Sequence, residues 1–379
     1  MSSVTNVGRP GQELNWKALL DRALTGEGVS TVFQPIVDLV RGVVVGYEAL
    51  TRFTGYPVTN PQLWFEASRR ERRSADLEAL ALRSALAMRS ELPSSTFLSV
   101  NIAPDLLDEA EILDVWETQD DLHGIVVELT EHARIDSYAT LESALERLRA
   151  AGAQIAIDDA GAGYAGLQHL IEVRPNIIKL DLTLVAGVDR DETKRALVEM
   201  IASFASRIDA TVLAEGIEHL GELDAVIGLG VPLAQGYLLA RPAPPWAGVD
   251  RRGAALLRQQ MPTTTAPTLR QVVERAVTVD DEGRAAAALT GAVDLVVILD
   301  DRGRPVATMD QDGLVDSALD PSMRVDVDTS VTEAAERAMT RPTRQRFRPL
   351  LCVDGSGVFV GVARMERVLT FLTAQADSH

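Results

Sequence analysis

Ile125-Val-Val-Glu-Leu-Thr-Glu131 and Gln154-Ile-Ala-Ile-Asp-Asp159 share one design: a short apolar run that gives way to a carboxylate. Outward from these two, 31–39, 43–53, 96–103, 177–181, 211–216 and 233–238 read as strands of the same kind, and helical patterns fill most of the gaps. In 193–208, for example, Leu197, Val198, Ile201, Phe204 and Ile208 recur at the i, i+3/i+4 spacing of a helix face. Eight strands with mostly helical crossovers predict an α/β chain, a (βα)8 TIM-like barrel. The first two strands are joined only by residues 40–42, whereas a parallel crossover needs roughly a dozen residues. One antiparallel strand is therefore expected in an otherwise parallel barrel.

The polar residues fall at one end of this pattern. Glu48, Asn101, Glu128, Asp158, Asp159, Lys179, Glu215 and Gln235 all lie within or at the C-terminal ends of predicted strands, with apolar neighbours such as Val126-Val127 and Leu213-Ala214. In a barrel that end carries the active site. Five carboxylates converging there repel one another unless neutralised, and divalent cations are the expected counter-charge. An all-oxygen donor set points to Mg²⁺ or Mn²⁺. Adjacent aspartates can serve two ions, and two ions ~3.5–4 Å apart clamp a phosphodiester for in-line attack. Singly, these residues have ordinary explanations: Glu48 and Arg52 as surface charges, Asp158-Asp159 as turn residues, Lys179 and Asp181 as an exposed alternation, Tyr237 as core. Those explanations do not account for every strand ending in a polar group.

Composition narrows the classes. The 379 residues exceed one ordinary core, and 46% are apolar. No run reaches the ~18 apolar residues of a membrane span, and the first residues lack a secretory pattern, so a cytoplasmic protein is expected. Cys352 is the single cysteine, which excludes an intrachain disulfide and a cysteine zinc site, and the five histidines show no ligand spacing. A net charge of −18 argues against general nucleic-acid binding, though not against an anionic ligand held through metal.

With these residues in place a resemblance becomes specific. Gln34-Pro-Ile36, Tyr47-Glu-Ala-Leu50 with Arg52, Val100-Asn101, Glu128-Leu-Thr-Glu131, Asp158-Asp159-x-Gly161-x-Gly163-Tyr164, Lys179-Leu-Asp181, Ala214-Glu-Gly-Ile-Glu218 and Ala234-Gln-Gly-Tyr237 resemble, in order, the motifs of the EAL-domain family of cyclic di-GMP phosphodiesterases. The resemblance implies metal-dependent hydrolysis of cyclic di-GMP to linear pGpG. It implies one ion on Glu48, Asn101, Glu128 and Asp158, a second on Asp158, Asp159 and Glu215, and Lys179 and Gln235 completing the reaction centre. Gln34, Leu50, Arg52, Asp181, Glu218 and Tyr237 are the implied substrate contacts, and Glu131 the brace of the loop after Asp159. In that loop Ala160 and Ala162 replace the Phe and Thr of the usual Asp-Asp-Phe-Gly-Thr-Gly. The resemblance also admits a receptor that binds the messenger without cutting it. A homodimer is expected.

After Arg241 the composition shifts. Pro242, Pro244, Pro245 and Pro262-Thr-Thr-Thr-Ala-Pro267 are linker signals, which gives a barrel at 14–245, a linker at 246–267 and a further module at 268–375. Within the module Val296-Val-Ile-Leu-Asp-Asp-Arg-Gly-Arg-Pro-Val306 aligns with Leu350-Leu-Cys-Val-Asp-Gly-Ser-Gly-Val-Phe-Val360 at an offset of 54 residues. Each copy reads as strand, hairpin, strand and helix. Ser330-x-x-Glu333 is a capping box before the second copy, and Gly303 and Gly357 are hairpin residues. This module resembles a tandem pair of CBS motifs, an α/β module that binds adenine nucleotides. Met309-x-x-Asp312 and Ala363-x-x-Glu366 stand where that family places Ser/Thr-x-x-Asp. The lost hydroxyls imply weak nucleotide binding at most, and a role in dimerisation or docking.

Overall fold

The structure is a computed structural model and describes residues 14–39, 41–93, 96–119, 121–129, 138–158, 170–208, 210–260, 267–289, 293–300, 302–310, 315–317, 324–340, 346–354 and 357–376. Strands β1 (Val29–Asp38), β2 (Val43–Phe53), β3 (Phe97–Ile102), β4 (Ile125–Leu129), β5 (Gln154–Ile157), β6 (Ile177–Leu180), β7 (Thr211–Ala214) and β8 (Leu233–Ala234) close a barrel in sequence order. β2 through β8 are parallel, while β1 runs antiparallel to both of its neighbours. The short β1–β2 link thus reverses one strand and creates two antiparallel seams.

Alternation along the strands sorts the interior into layers. Ile36, Val126, Ala156, Ile177, Leu213 and Leu233 meet in one buried apolar cluster, with Val45 and Phe97 against it. Two residues further toward the strand ends, the same inward face carries Glu128, Asp158, Lys179, Glu215 and Gln235. On the reversed β1 the count runs backwards, from Ile36 to Gln34, which lies opposite Glu48 in the β1–β2 register.

Several strands are shorter than the sequence suggests. β5, β7 and β8 stop at Ile157, Ala214 and Ala234, so Asp158, Glu215 and Gln235 stand just past the last paired residue and Tyr237 lies outside any strand. Glycines explain two of these stops. Gly216 has φ +68°, off the strand path. A Cβ on Gly236 would lie 2.2 Å from the Ile217 nitrogen, because the chain there crosses the loop after β7. Ile217 donates to the Gln235 carbonyl at 3.1 Å, and Leu238 donates back to Ile217 at 2.9 Å. Further on, Ala243 and Phe33 exchange backbone hydrogen bonds of 2.8 and 3.0 Å.

The chain divides into two compact units, the second being Pro262–His379 with Ser203–Ala210. In that unit β9 (Val277–Val279), β10 (Leu295–Leu299), β11 (Pro305–Asp310) and β12 (Val315–Ser317) form one sheet, and β13 (Arg324–Asp326), β14 (Leu350–Val353) and β15 (Phe359–Ala363) another. The internal repeat is visible bond for bond. β9 and β13 pair in parallel with β10 and β14, which then turn back into β11 and β15. Leu299 pairs with Pro305 after a register shift, as Val353 does with Phe359, and Gly303 and Gly357 have φ of +76° and +79°. Of the expected capping box, Glu333 N–H donates to Ser330 Oγ at 3.2 Å. Met309 and Ala363 are buried, whereas Asp312 lies outside the described residues. No helix among the described residues is long and apolar enough to cross a membrane.

One buried acid braces the barrel. Glu78, in the helix Ser74–Leu86, accepts the Ala103 N–H at 2.8 Å, just past β3. Burial pushes its carboxyl up from 4.5 to about 7. The folded chain therefore holds a proton that the unfolded chain releases, and this contribution, full below the unfolded value, is lost as pH rises through 7. Glu78→Gln keeps an acceptor for Ala103 but cannot ionise. Denaturant unfolding should show the variant gaining about 2–3 kcal/mol on wild type between pH 5 and pH 8; a difference that does not change with pH would refute the assignment.

Candidate active site

The polar layer closes around one ammonium. Lys179 Nζ, at the inward end of β6 and 1% exposed, lies 2.6 Å from Glu128 Oε2, 2.6 Å from Glu215 Oε1, 3.3 Å from Asp158 Oδ1 and 3.6 Å from Glu48 Oε1. Gln235 Nε2 donates to Glu48 Oε2 at 2.7 Å and to Glu215 Oε1 at 3.2 Å, and Asn101 Nδ2 donates to Glu48 Oε1 at 3.1 Å. Glu48, Asn101, Glu128, Asp158, Lys179, Glu215 and Gln235 are thus one cluster, drawn from seven successive strands, β2 to β8.

Its electrostatics are unbalanced. Burial would raise the Glu48 carboxyl, but Lys179 and the amides of Gln235 and Asn101 outweigh it and hold Glu48 below the ordinary range. Glu128 is pushed up to about 8, first by burial and then by Glu48 and Asp158, despite Lys179. Burial and the neighbouring carboxylates raise Glu215 as well. Burial opposes the charge on Lys179, yet the four carboxylates raise it well above its ordinary value, so it keeps its proton. One ammonium cannot neutralise four carboxylates, and Glu128 and Glu215 respond by holding protons.

Among the described residues no three acidic, histidine or cysteine side chains already stand as a metal cage; the carboxylates close on the ammonium instead. The donor set nonetheless fits hard divalent ions. It is all oxygen, over-supplied with negative charge, and includes the buried Gln235 Oε1, which has no hydrogen-bond partner among the described residues. Asp159, Glu131, Ala160 and Ala162 lie outside the described residues.

The expected substrate contacts are more scattered in role. Gln34 is buried and donates to the Ala240 carbonyl at 3.2 Å. Leu50 is half-buried on β2, opposite Val32. Arg52 donates to the Thr51 carbonyl at 3.0 Å, and burial lowers its pKa against the pull of Tyr237 and Glu48. No carboxylate of the described residues forms an ion pair with it. Asp181 caps the short helix Leu182–Val185 through Thr183 N–H at 2.7 Å, the ordinary N-cap use of an aspartate. Glu218 is exposed, and Tyr237 is 46% exposed with the Arg241 guanidinium 4.2 Å from its ring centroid.

Sequence reasoning missed Ser99. It is fully buried on β3 and its hydroxyl donates to Glu128 Oε1, the oxygen that Lys179 leaves. Counting back two from Asn101 along the inward face would have found it.

Comparison with known proteins identifies the family. Residues 18–242, more than half of the chain, match the family model of the EAL domain. RocR, a cyclic di-GMP phosphodiesterase of Pseudomonas aeruginosa, is 30% identical over 245 residues, which cover 59% of this chain and 59% of RocR. A second cyclic di-GMP phosphodiesterase of that organism is 29% identical over 236 residues, covering 58% of this chain and 39% of its own. The chain therefore spans less than two thirds of the length of these curated relatives. Klebsiella pneumoniae BlrP1, solved with calcium and cyclic di-GMP, superposes with a TM-score of 0.52 at 30% identity, over 59% of this chain and 58% of that one. The matched span holds the whole buried polar cluster, and the chain belongs to the EAL domain family.

Proposed function

We propose that this chain hydrolyses cyclic di-GMP to linear pGpG with divalent metal. The observation that carries the reading is the inward-facing layer of four carboxylates, Asn101 and Gln235 around the buried Lys179, in a chain whose relatives include cyclic di-GMP phosphodiesterases. Glu48, Asn101, Glu128 and Asp158 would hold one Mg²⁺ or Mn²⁺, and Asp158, Asp159 and Glu215 a second. Bound there, such ions supply Lewis-acid charge to the phosphodiester and acidify a water. In the hydrolysis a water oxygen joins phosphorus, the bond to the 3′ oxygen breaks and that oxygen leaves protonated.

The chain's own groups do the rest. Lys179, held protonated, offsets charge that grows on the phosphoryl oxygens. Gln235 Oε1, lacking a partner among the described residues, would accept a hydrogen bond from the attacking water. Arg52, half-buried and in no ion pair with a carboxylate of the described residues, is suited to a phosphate of the messenger. Gln34, Leu50, Asp181, Glu218 and Tyr237 would border the substrate, with Tyr237 offering an exposed ring to a guanine. The region 268–375, in this reading a CBS-like module beyond the linker 246–267, would tune the barrel through dimer geometry and hold adenine nucleotides weakly.

Purified chain with Mg²⁺ or Mn²⁺ should convert cyclic di-GMP to pGpG, resolved by chromatography, and both excess EDTA and Glu48→Ala should abolish conversion. Binding without product in metal would instead favour a receptor. Equal activity in EDTA would remove the metal from the mechanism.

Two variants should separate chemistry from binding. Lys179→Met should lower kcat by orders of magnitude with little change in KM, because its charge serves mainly the transition state. Arg52→Ala should raise KM more than it lowers kcat. Steady-state kinetics showing the reverse split would exchange or cancel these roles.

A chain ending at Met261 should keep hydrolysing cyclic di-GMP while its mass by light scattering falls to that of a monomer. A folded, inactive truncation would place the C-terminal region within the catalytic unit. An unchanged rate and oligomeric state would leave that region without the tuning role.

A further inference from the structure

Glu222 is buried, 3% exposed, yet lies outside the polar cluster. It sits in the first turn of the helix Leu220–Gly228 and completes a capping box with His219. A capping-box glutamate ordinarily satisfies its own helix's N-cap amide. Here Oε2 does so, accepting the N–H groups of Glu218 and His219, each at 3.0 Å. Oε1 reaches elsewhere and accepts the N–H of Gly187 at 3.0 Å, in the crossover that follows β6. One carboxylate thus joins two successive strand-to-helix connections: the limb after Lys179 and Asp181, and the limb after Glu215.

The two limbs touch in other places, and each contact is tight. Glu215 N–H donates to the Leu180 carbonyl at 3.0 Å. A Cβ on Gly216 would lie 2.3 Å from Leu182, and one on Gly221 would lie 2.6 Å from Asp189 Oδ2. Lys194 Nζ holds the Leu182–Val185 turn through the carbonyls of Thr183 and Ala186, both at 2.6 Å. On its far side the Glu215 limb is bonded through Ile217 to Gln235 and Leu238. A shift of the β7 limb would therefore move Glu215 against Lys179 and Gln235 together.

We infer that Glu222 is a positioning residue that locks the β6 and β7 limbs and so sets the place of Glu215 relative to Lys179. The inference rests on the proposed function for its kinetic consequence, but not for the clamp. Glu222→Gln has one acceptor oxygen in place of two, so it can serve one limb only, while its NH₂ faces an N–H of the other. Glu222→Asp is a methylene too short to reach both.

The test uses the full chain and both variants. Hydrogen exchange should show the Gly187 amide, or those of Glu218 and His219, losing protection. Mn²⁺ titrated alone and followed by electron paramagnetic resonance should bind about tenfold more weakly, as when a group that orients metal ligands is lost. The kcat for cyclic di-GMP should fall about tenfold to a hundredfold with a smaller change in KM. Wild-type exchange, Mn²⁺ affinity and kcat in Glu222→Gln overturn the inference, as does a change confined to the melting temperature. A wild-type chain that makes no pGpG would overturn the proposed function, and the clamp would then be judged on exchange and Mn²⁺ affinity alone.

Discussion

A lysine ammonium removed from water costs several kcal/mol unless charge of the opposite sign surrounds it. Lys179 is 1% exposed, and Glu128, Glu215, Asp158 and Glu48 stand within 4 Å of it. The carboxylates depend on the lysine in the same way, since at these separations they would repel one another through a medium that screens poorly. Neither partner could be buried alone. This mutual requirement ties β2, β4, β5, β6 and β7 together at one end of the barrel, as the apolar layer from Ile36 to Leu233 ties them below. The balance is incomplete, and the raised pKa values of Glu128 and Glu215 show it. An end of a barrel that carries surplus acid suits the divalent ions proposed for it.

Around this cluster the backbone is held by acids of another kind. Glu78 accepts the amide of Ala103 beyond β3, and Glu222 accepts amides of Gly187, Glu218 and His219 beyond β6 and β7. Buried N–H groups at loop ends need partners, and a carboxylate with two oxygens can serve two chain segments at once. The C-terminal unit is organised by repetition instead. Its two strand–helix–hairpin copies share a core in which Val297 of β10 meets Leu351 and Val362 of β14 and β15, and Phe359 N–H donates to the Gly303 carbonyl at 2.9 Å, hairpin to hairpin.

Much of this was legible in the chain because the period of a strand is local. Val126 to Glu128, Ile177 to Lys179 and Leu213 to Glu215 each place an apolar plug two residues before a polar group, so the layers can be counted without a structure. The 40–42 link predicts the reversed strand by its length alone. The 54-residue repeat is readable because its turn residues, Asp300 with Gly303 and Asp354 with Gly357, sit at equal spacing and need the same backbone. Strand ends were less legible. Nothing local to Gly236 says that another segment crosses it, and it is that crossing which ends β8.

By itself, then, the sequence determined the barrel class, the strand order, seven members of the polar layer and the internal repeat, since all of these follow from local periodicity and connection length. Only the tertiary structure decided which partners those residues take. That four acids share one ammonium, that Ser99 serves Glu128 and that Glu222 spans two limbs are relations between residues as many as 131 positions apart, as Glu48 is from Lys179. Such pairs are brought together by closing the barrel, and no local pattern in the chain carries the distance between them.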